Sequence, residues 1–182
     1  MFVALEGADG CGKTTLCTVL ARRLGATAYS TPPKRYLESR DKVDRESSAL
    51  EHYRFYREGI YDASSEIDEI LGRGESVVSD RYWLSTFTYH QVMGVPVSRE
   101  DFSCVVQPML TVVLSLNHKV QMERMTIRGM SIGDRRMLDR QQDLTKAFYQ
   151  NVLELSVPFI FIDAQFFSPE KCASIIMEAI KI

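Results

Sequence analysis

Residues 7–14 read Gly7-Ala8-Asp9-Gly10-Cys11-Gly12-Lys13-Thr14, a G-x-x-x-x-G-K-T sequence. It is set between a short apolar run, Phe2–Glu6, and a helical pattern in which Leu16, Val19, Leu20 and Leu24 share a face. An apolar run of that length suits a buried strand. Glycines let the backbone bend so that several N–H groups converge on phosphate oxygens, and a helix N-terminus adds its dipole. A strand before such a turn and a helix after it are the context this chemistry requires. On this reading Gly7, Ala8, Asp9, Gly10, Cys11, Gly12, Lys13, Thr14 and Thr15 form a phosphate cradle. Lys13 reaches the outer phosphates, and the Thr14 hydroxyl ligates Mg²⁺.

The rest of the chain alternates strand and helix signals. Strands are expected at Thr27–Thr31, Ser76–Ser79, Leu110–Leu116 and Phe159–Ile162. Helices are expected at Leu50–Tyr56 and Ile60–Leu71, with Gly59 as a break or a close-contact point, and at Leu84–Met93. Asn117 reads as the cap of a helix running to about Arg128, Leu138–Leu155 as a long helix, and Ser168-Pro169 as the start of a last one. Lys34–Ser48 reads as a surface loop or weak helix, and Gly129–Asp134 as a polar break. Strands joined by helical crossovers pack as a parallel sheet. The expected fold is an α/β P-loop NTPase three-layer sandwich: a central, mostly five-stranded parallel sheet, flanking helices and a short lid. A length of 182 residues predicts a single domain over 1–182.

Composition narrows the partners. Lys and Arg number 22 against 24 Asp and Glu, so no basic excess draws the chain to a nucleic acid polymer or an anionic membrane. An anionic substrate must be met by local cations. The 4 cysteines form no C-x-x-C pair and no zinc spacing with the histidines, which suits a reducing, cytoplasmic compartment. No apolar run reaches membrane-spanning length.

A cradle binds nucleotide without saying what becomes of it. The nearest approach to the guanine signature N-K-x-D is Asn117-His118-Lys119-Val120, which has the wrong order and lacks the acid. More informative is Val77-Val78-Ser79-Asp80-Arg81-Tyr82, an acid and an arginine at the end of a buried run. In open α/β sheets that end faces the ligand crevice. Asp80 could hold Mg²⁺ through water, and the Arg81 fork could clamp a second phosphate. A structural ion pair would occupy the same place.

The chain resembles the thymidylate kinase family. The matching segments are Glu6–Thr15, Gly74–Tyr82, Glu123-Arg124 with Arg128-Gly129, Asp134-Arg135, and Phe161-Ile162-Asp163-Ala164. The resemblance implies transfer of the ATP γ-phosphoryl group to a deoxynucleoside monophosphate, usually dTMP, by a homodimer. It implies that Asp9 approaches the sugar 3′-OH and the acceptor phosphate, Phe55 stacks on the base, Thr86 lies near the base, and Tyr89 sits under the sugar. It also places Lys34 or Arg35 near the acceptor phosphate. Four residues after the stacking phenylalanine the family has an arginine; here Gly59 stands there. Either Arg57 substitutes or the base preference differs.

Arg124 and Arg128 share a helix face, and Arg135 and Arg136 follow a glycine-flanked stretch. Seen alone they read as a solvated basic face. The resemblance implies a short lid at about 128–137, and in that place they read as ligands of the ATP phosphates and of transferring charge, Arg128 and Arg135 ahead of Arg136. His52, His90 and His118 form no metal spacing; His90, beside Tyr89, could line the acceptor pocket, but a core or surface role is expected of each. Trp83 and Phe87 are expected to pack in the core. Tyr53, Tyr56 and Tyr61 read as base-pocket residues or as ordinary packing, and Cys11 as a backbone contributor. Two alternatives stand beside dTMP phosphorylation: a kinase of another or modified pyrimidine nucleotide or nucleoside, and a non-catalytic nucleotide-binding module.

Overall fold

β1 (Phe2–Glu6) is buried along its whole length because it feeds two cores: Phe2 and Ala4 face one layer, Val3 and Leu5 the other. The computed structural model describes residues 1–181. β2 (Thr27–Ser30), β3 (Val77–Asp80), β4 (Leu110–Ser115) and β5 (Phe159–Asp163) join β1 in an all-parallel sheet of order β2-β3-β1-β4-β5. The same two-sided alternation recurs in β3, where Val77 and Val78 enter opposite cores, and in β4, where Val113 opposes Val112 and Leu114. Strands of this kind need helices on both faces.

α1 (Lys13–Leu24) and α8 (Pro169–Ala179) cover one face, with Leu16, Leu20, Ala173 and Ile176 against the sheet. α3 (Ala49–Gly72), α4 (Trp83–Val92) and α7 (Gln141–Glu154) cover the other through Ile60, Ile67, Trp83, Phe87, Phe148 and Val152. The expected caps are present: Asn117 accepts from Lys119 N at the start of α5 (His118–Arg128), and Ser168 from Lys171 N at the start of α8. None of the helices among the described residues is long and apolar enough to cross a membrane.

Three segments differ from the sequence expectation. Residues 49–72 form one helix, not two, because glycine inside a helix costs only about 1 kcal/mol. A Ser48–Glu51 capping box and burial on the core side offset that cost. Gly59 serves instead as a close-contact point: a Cβ there would stand 3.1 Å from the Pro32 Cβ. Lys34–Ser48 holds a one-turn 3₁₀ segment and a true helix, α2 (Leu37–Glu46), whose Asp44 is buried. The polar break at 129–134 contains a Ser131–Asp134 capping box that opens a one-turn helix, α6 (Ile132–Arg136), so α7 begins only at Gln141. In both of the latter segments a polar residue caps or anchors a helix that hydrophobic periodicity alone does not reveal.

Candidate active site

The sheet places the carboxyl ends of β1 and β3 side by side, Leu5 opposite Asp80. The turn after β1 is tight. Gly7 has φ +130°, and any Cβ there would collide with the Leu114 carbonyl, so only glycine lets the chain pass β4. α1 then begins with no side-chain cap and no acid in its first turn. Its leading N–H groups therefore stay free for an anion. Lys13 is 5 % exposed and folds its ammonium onto Gly7 O and Ala8 O, at 3.0 and 2.5 Å. Burial, then the charge of Arg81, lowers its pKa. The Thr14 hydroxyl donates to Asp80 Oδ2 at 2.5 Å.

Arg81 is the hub of the site. Its φ of 69° is left-handed, unusual for a side chain with Cβ, and the turn is held by Arg81 N donating to Leu5 O at 2.9 Å. A non-glycine residue there costs about 1–2 kcal/mol, and the bend returns the guanidinium to the cleft. It donates to Asp9 Oδ1, to Gly7 O and Ser85 Oγ at 3.1 Å each, and to the Tyr89 hydroxyl at 3.1 Å. Burial opposes its charge, but Tyr89, Asp9, Asp80 and Glu6 together raise its pKa. Burial likewise opposes ionisation of Asp9, yet Arg81, Lys13 and hydrogen bonds from Tyr89 and Gln141 hold its carboxyl below the usual range. Behind them Glu6 is buried, accepts from Tyr82 N and the Ser85 hydroxyl, and is pushed by burial up to about 7.

Two cavities meet at this hub. A wide one of about 600 Å³ holds the cradle, Asp80, Arg124 and Arg128. A narrower pocket of about 90 Å³ is walled by Thr86, Tyr89, His52, Tyr56 and His90. Asp9, Thr31, Arg40, Arg81, Ser131 and Asp134 belong to both. A third cavity opens beyond the cradle, lined in part by Cys11, Arg124, Ala164 and Phe167.

Lys13, Thr14, Asp9, Asp80, Arg81, Thr86, Tyr89, Arg124 and Arg128 thus come together around one cleft. Cys11 and Ala8 are buried beneath it, and burial pushes the Cys11 thiol up. Other expected residues lie elsewhere. Phe55 packs its edge on Tyr36 and Tyr56, with centroids 5.2 and 5.4 Å away, and lines neither cavity. Its neighbour Tyr56 and His52, one turn earlier on α3, take the pocket wall instead. Lys34 is exposed and lines neither cavity. Arg35 pairs with Asp62 and Glu66 at 2.5 and 3.0 Å, and Arg57 with Glu58 at 3.3 Å. The cation that joins Arg81 at the junction of the cavities is Arg40 on α2, which donates to the Tyr56 hydroxyl at 3.1 Å. Arg135 is exposed and lines neither cavity. Arg136 reaches α2 instead, donating to Asp44 O and Ser47 O at 2.9 and 2.8 Å and so fixing α6 over the narrow pocket. Arg128 pairs with the buried Asp134 at 2.7 Å.

Sequence reasoning also misses two buried glutamines. Gln121 on α5 donates to Asp9 O at 2.7 Å and to Gln141 Oε1 at 2.8 Å; Gln141 on α7 donates to Asp9 Oδ2 at 3.3 Å. They tie the cradle to the helices on either side of α6. No motif marks them. His52 and Tyr56 do carry a signal, the four-residue spacing that puts them on one helix face.

A P-loop cradle opening into a second pocket across a shared arginine and aspartate belongs to the class of P-loop nucleotide kinases. The solved structure of deoxyadenosine kinase from M. mycoides with bound dATP has the same fold, with TM-score 0.71 and 14% identity over 100% of both chains. The thymidylate kinase family profile matches residues 5–170, and the chain belongs to that family. A probable thymidylate kinase of Archaeoglobus fulgidus is 28% identical over 167 residues, 86% of this chain and 85% of that one. A probable thymidylate kinase of Pyrobaculum aerophilum is 30% identical over 141 residues, 70% of this chain and 71% of that one. The thymidylate kinase of Buchnera aphidicola is 28% identical over 173 residues, 83% and 77% of the two chains.

Proposed function

We propose that the protein transfers the γ-phosphoryl group of ATP to dTMP, giving ADP and dTDP. The observation that carries this reading is the pairing of Arg81 with Asp9 on the wall common to the cradle and the narrow pocket, both bonded to Tyr89 on the narrow-pocket side, in a chain matched by the thymidylate kinase profile over residues 5–170. The family match favours neither of the two alternatives raised by the sequence.

In this mechanism ATP lies with its phosphates in the cradle, held by the free N–H groups of α1 and by Lys13, with Arg124 beside the third cavity. dTMP enters the narrow pocket. Its phosphate meets Arg81 and Arg40, and its sugar meets Tyr89 and Asp9. A phosphate oxygen of dTMP is already an anionic nucleophile, so it attacks the γ-phosphorus without a general base, and the bond to the bridging oxygen of ADP breaks. Lys13, Arg81 and Arg128 gather the charge that spreads over the transferring group. The segment 128–137 acts as the lid, excluding water from the transfer.

Mg²⁺ suits the donors present. Thr14 and Asp80 bring two hard oxygens within 2.5 Å of each other at the cradle rim. Among the described residues no cluster of three or more His, Cys, Asp or Glu builds a metal cage. That set fits a cation that keeps water and phosphate oxygens as its other ligands. When bound, it would neutralise charge on the β- and γ-phosphates. A homodimer and a cytoplasmic location belong to the same reading, and light scattering measures the first.

A coupled ADP-release assay with ATP and a panel of nucleoside monophosphates tests the proposal. dTMP is expected to be the best acceptor. ATP binding with no acceptor phosphorylated, or dTMP among the poorest acceptors, would refute it.

A further inference from the structure

Glu6 ends β1 directly behind the hub. It is buried and lines none of the three cavities, so it touches neither substrate of the proposed reaction. Both of its carboxyl oxygens are committed to the start of α4: Oε1 accepts from Tyr82 N at 3.0 Å, and Oε2 accepts from the Ser85 hydroxyl. Tyr82 is the capping residue of α4, Ser85 stands three places on, and the helix has no side-chain cap and no acid in its first turn. In a capping box a carboxylate at that third place accepts from the capping residue's N–H. Here a carboxylate from β1 does so, and Ser85 is left to link it to Arg81. The hydrogen bonds run in one direction. An ionised carboxyl only accepts and a guanidinium only donates. The single Ser85 hydrogen therefore goes to Glu6, and the Ser85 oxygen accepts from Arg81 Nη1 at 3.1 Å.

We propose that Glu6 is a positioning residue for phosphoryl transfer: through the Ser85 hydroxyl and the Tyr82 N–H it sets the place of the Arg81 guanidinium, and so decides how tightly the acceptor phosphate is held. The proposal rests on the reading of Arg81 as a ligand of that phosphate. The two edges of the guanidinium have different surroundings. Nη1 is held by Ser85 and Gly7 O, both part of the protein frame. Nη2 faces Asp9, on the wall common to both cavities, and Tyr89 in the narrow pocket. The main chain is pinned as well. At the left-handed Arg81, N donates to Leu5 O, O accepts from the Ser79 hydroxyl, and the next N–H is the one Glu6 accepts. A strained residue persists only where its surroundings over-determine it, and Glu6 reaches this one by both the main-chain and the side-chain route. A planar fork matches a phosphate in few orientations, so an unheld guanidinium loses acceptor affinity and transfer together.

Steady-state kinetics and calorimetric titration with dTMP test this at about pH 8, where the carboxyl is ionised. Ser85→Ala and Glu6→Ala are expected to raise the dTMP KM and Kd about tenfold, the scale of a lost hydrogen bond to a charged group, with the ATP KM within about twofold of wild type. Glu6→Gln keeps an acceptor for Tyr82 N and a donor for Ser85 Oγ, and should rescue most of that loss. A helix cap without a positioning role would lower stability and the active fraction but leave both KM values in place. The critical measurement is a double-mutant cycle. Added to Arg81→Ala, Ser85→Ala should change the dTMP Kd by less than about twofold, because nothing remains to be held. A loss that persists undiminished in that background would make Ser85 a direct ligand and overturn the proposal. So would a folded Ser85→Ala variant with an unmoved dTMP KM, or a Glu6→Gln variant as impaired as Glu6→Ala. Circular dichroism checks folding, and if Glu6→Ala does not fold, a tenfold loss in Glu6→Gln overturns the proposal in its stead. If the wild type neither binds nor phosphorylates dTMP, the thymidylate reading fails separately, and nucleotide-free crystal structures of wild type and Ser85→Ala decide the positioning. A guanidinium displaced from Gly7 O and Asp9 in the variant supports it; one in the wild-type place overturns it.

Discussion

Replacing Glu6 by glutamine is expected to change how stability depends on pH, in a direction set by burial. The carboxyl is 1 % exposed and accepts from Tyr82 N at 3.0 Å and from the Ser85 hydroxyl. Burial pushes it from 4.5 up to about 7, against the lowering influence of Ser85 and Arg81. Between those values the native chain keeps a proton that the unfolded chain has lost. Stability therefore falls as pH rises through that window, and the whole penalty is present above about pH 7. At about 1.4 kcal/mol per pH unit, the penalty is about 3 kcal/mol. His90 has the opposite sign. Burial lowers it from 6.5 to about 3, so its contribution is present above 6.5 and is lost as pH falls toward 3. The wild-type profile sums the two, and only the difference between wild type and Glu6→Gln isolates the carboxyl. Glutamine keeps an acceptor for Tyr82 N and can donate to Ser85 Oγ. Urea unfolding from about pH 4.5 to about pH 8 is expected to show the variant gaining about 3 kcal/mol on the wild type as pH rises. A difference constant to within about 0.5 kcal/mol over that range would refute the reasoning.

Other substitutions probe the cleft and its supports. Lys13→Met is expected to lower kcat by about a thousandfold in the coupled assay, the scale of removing a preorganised charge, with the circular dichroism spectrum unchanged. Arg136→Ala releases α6 from the α2 carbonyls and should raise the acceptor KM about tenfold, the worth of charged hydrogen bonds, with a much smaller effect on the ATP KM. Gly59→Val drives a branched side chain toward Pro32 and Tyr36, which a Cβ would meet at 3.1 and 3.7 Å. It should lower stability by about 2 kcal/mol in urea unfolding, the cost of overpacking.

Strand–helix alternation, the cradle, the Asp80-Arg81 pair and the caps at Asn117 and Ser168 are all legible in the order of the residues, and they set the parallel sheet. Each is a local pattern, because a hydrophobic period, a glycine turn or a cap depends on residues within one or two turns of one another. Of the narrow pocket, Thr86 and Tyr89 are legible through the family resemblance, but the wall opposite them is not legible in that way. His52, His90 and Asp44 come from three helices and meet only when α2, α3 and α4 pack, and Arg40 replaces Lys34 at the junction because α2 is a helix rather than a loop. The family resemblance puts Phe55 at the base, but the rotation of α3 turns it toward Tyr36 and gives the wall to Tyr56. Sequence by itself therefore determined the sheet, the cradle and the donor chemistry. Tertiary packing decided which side chains line the narrow pocket, since contacts between residues dozens of positions apart leave no period or spacing to read.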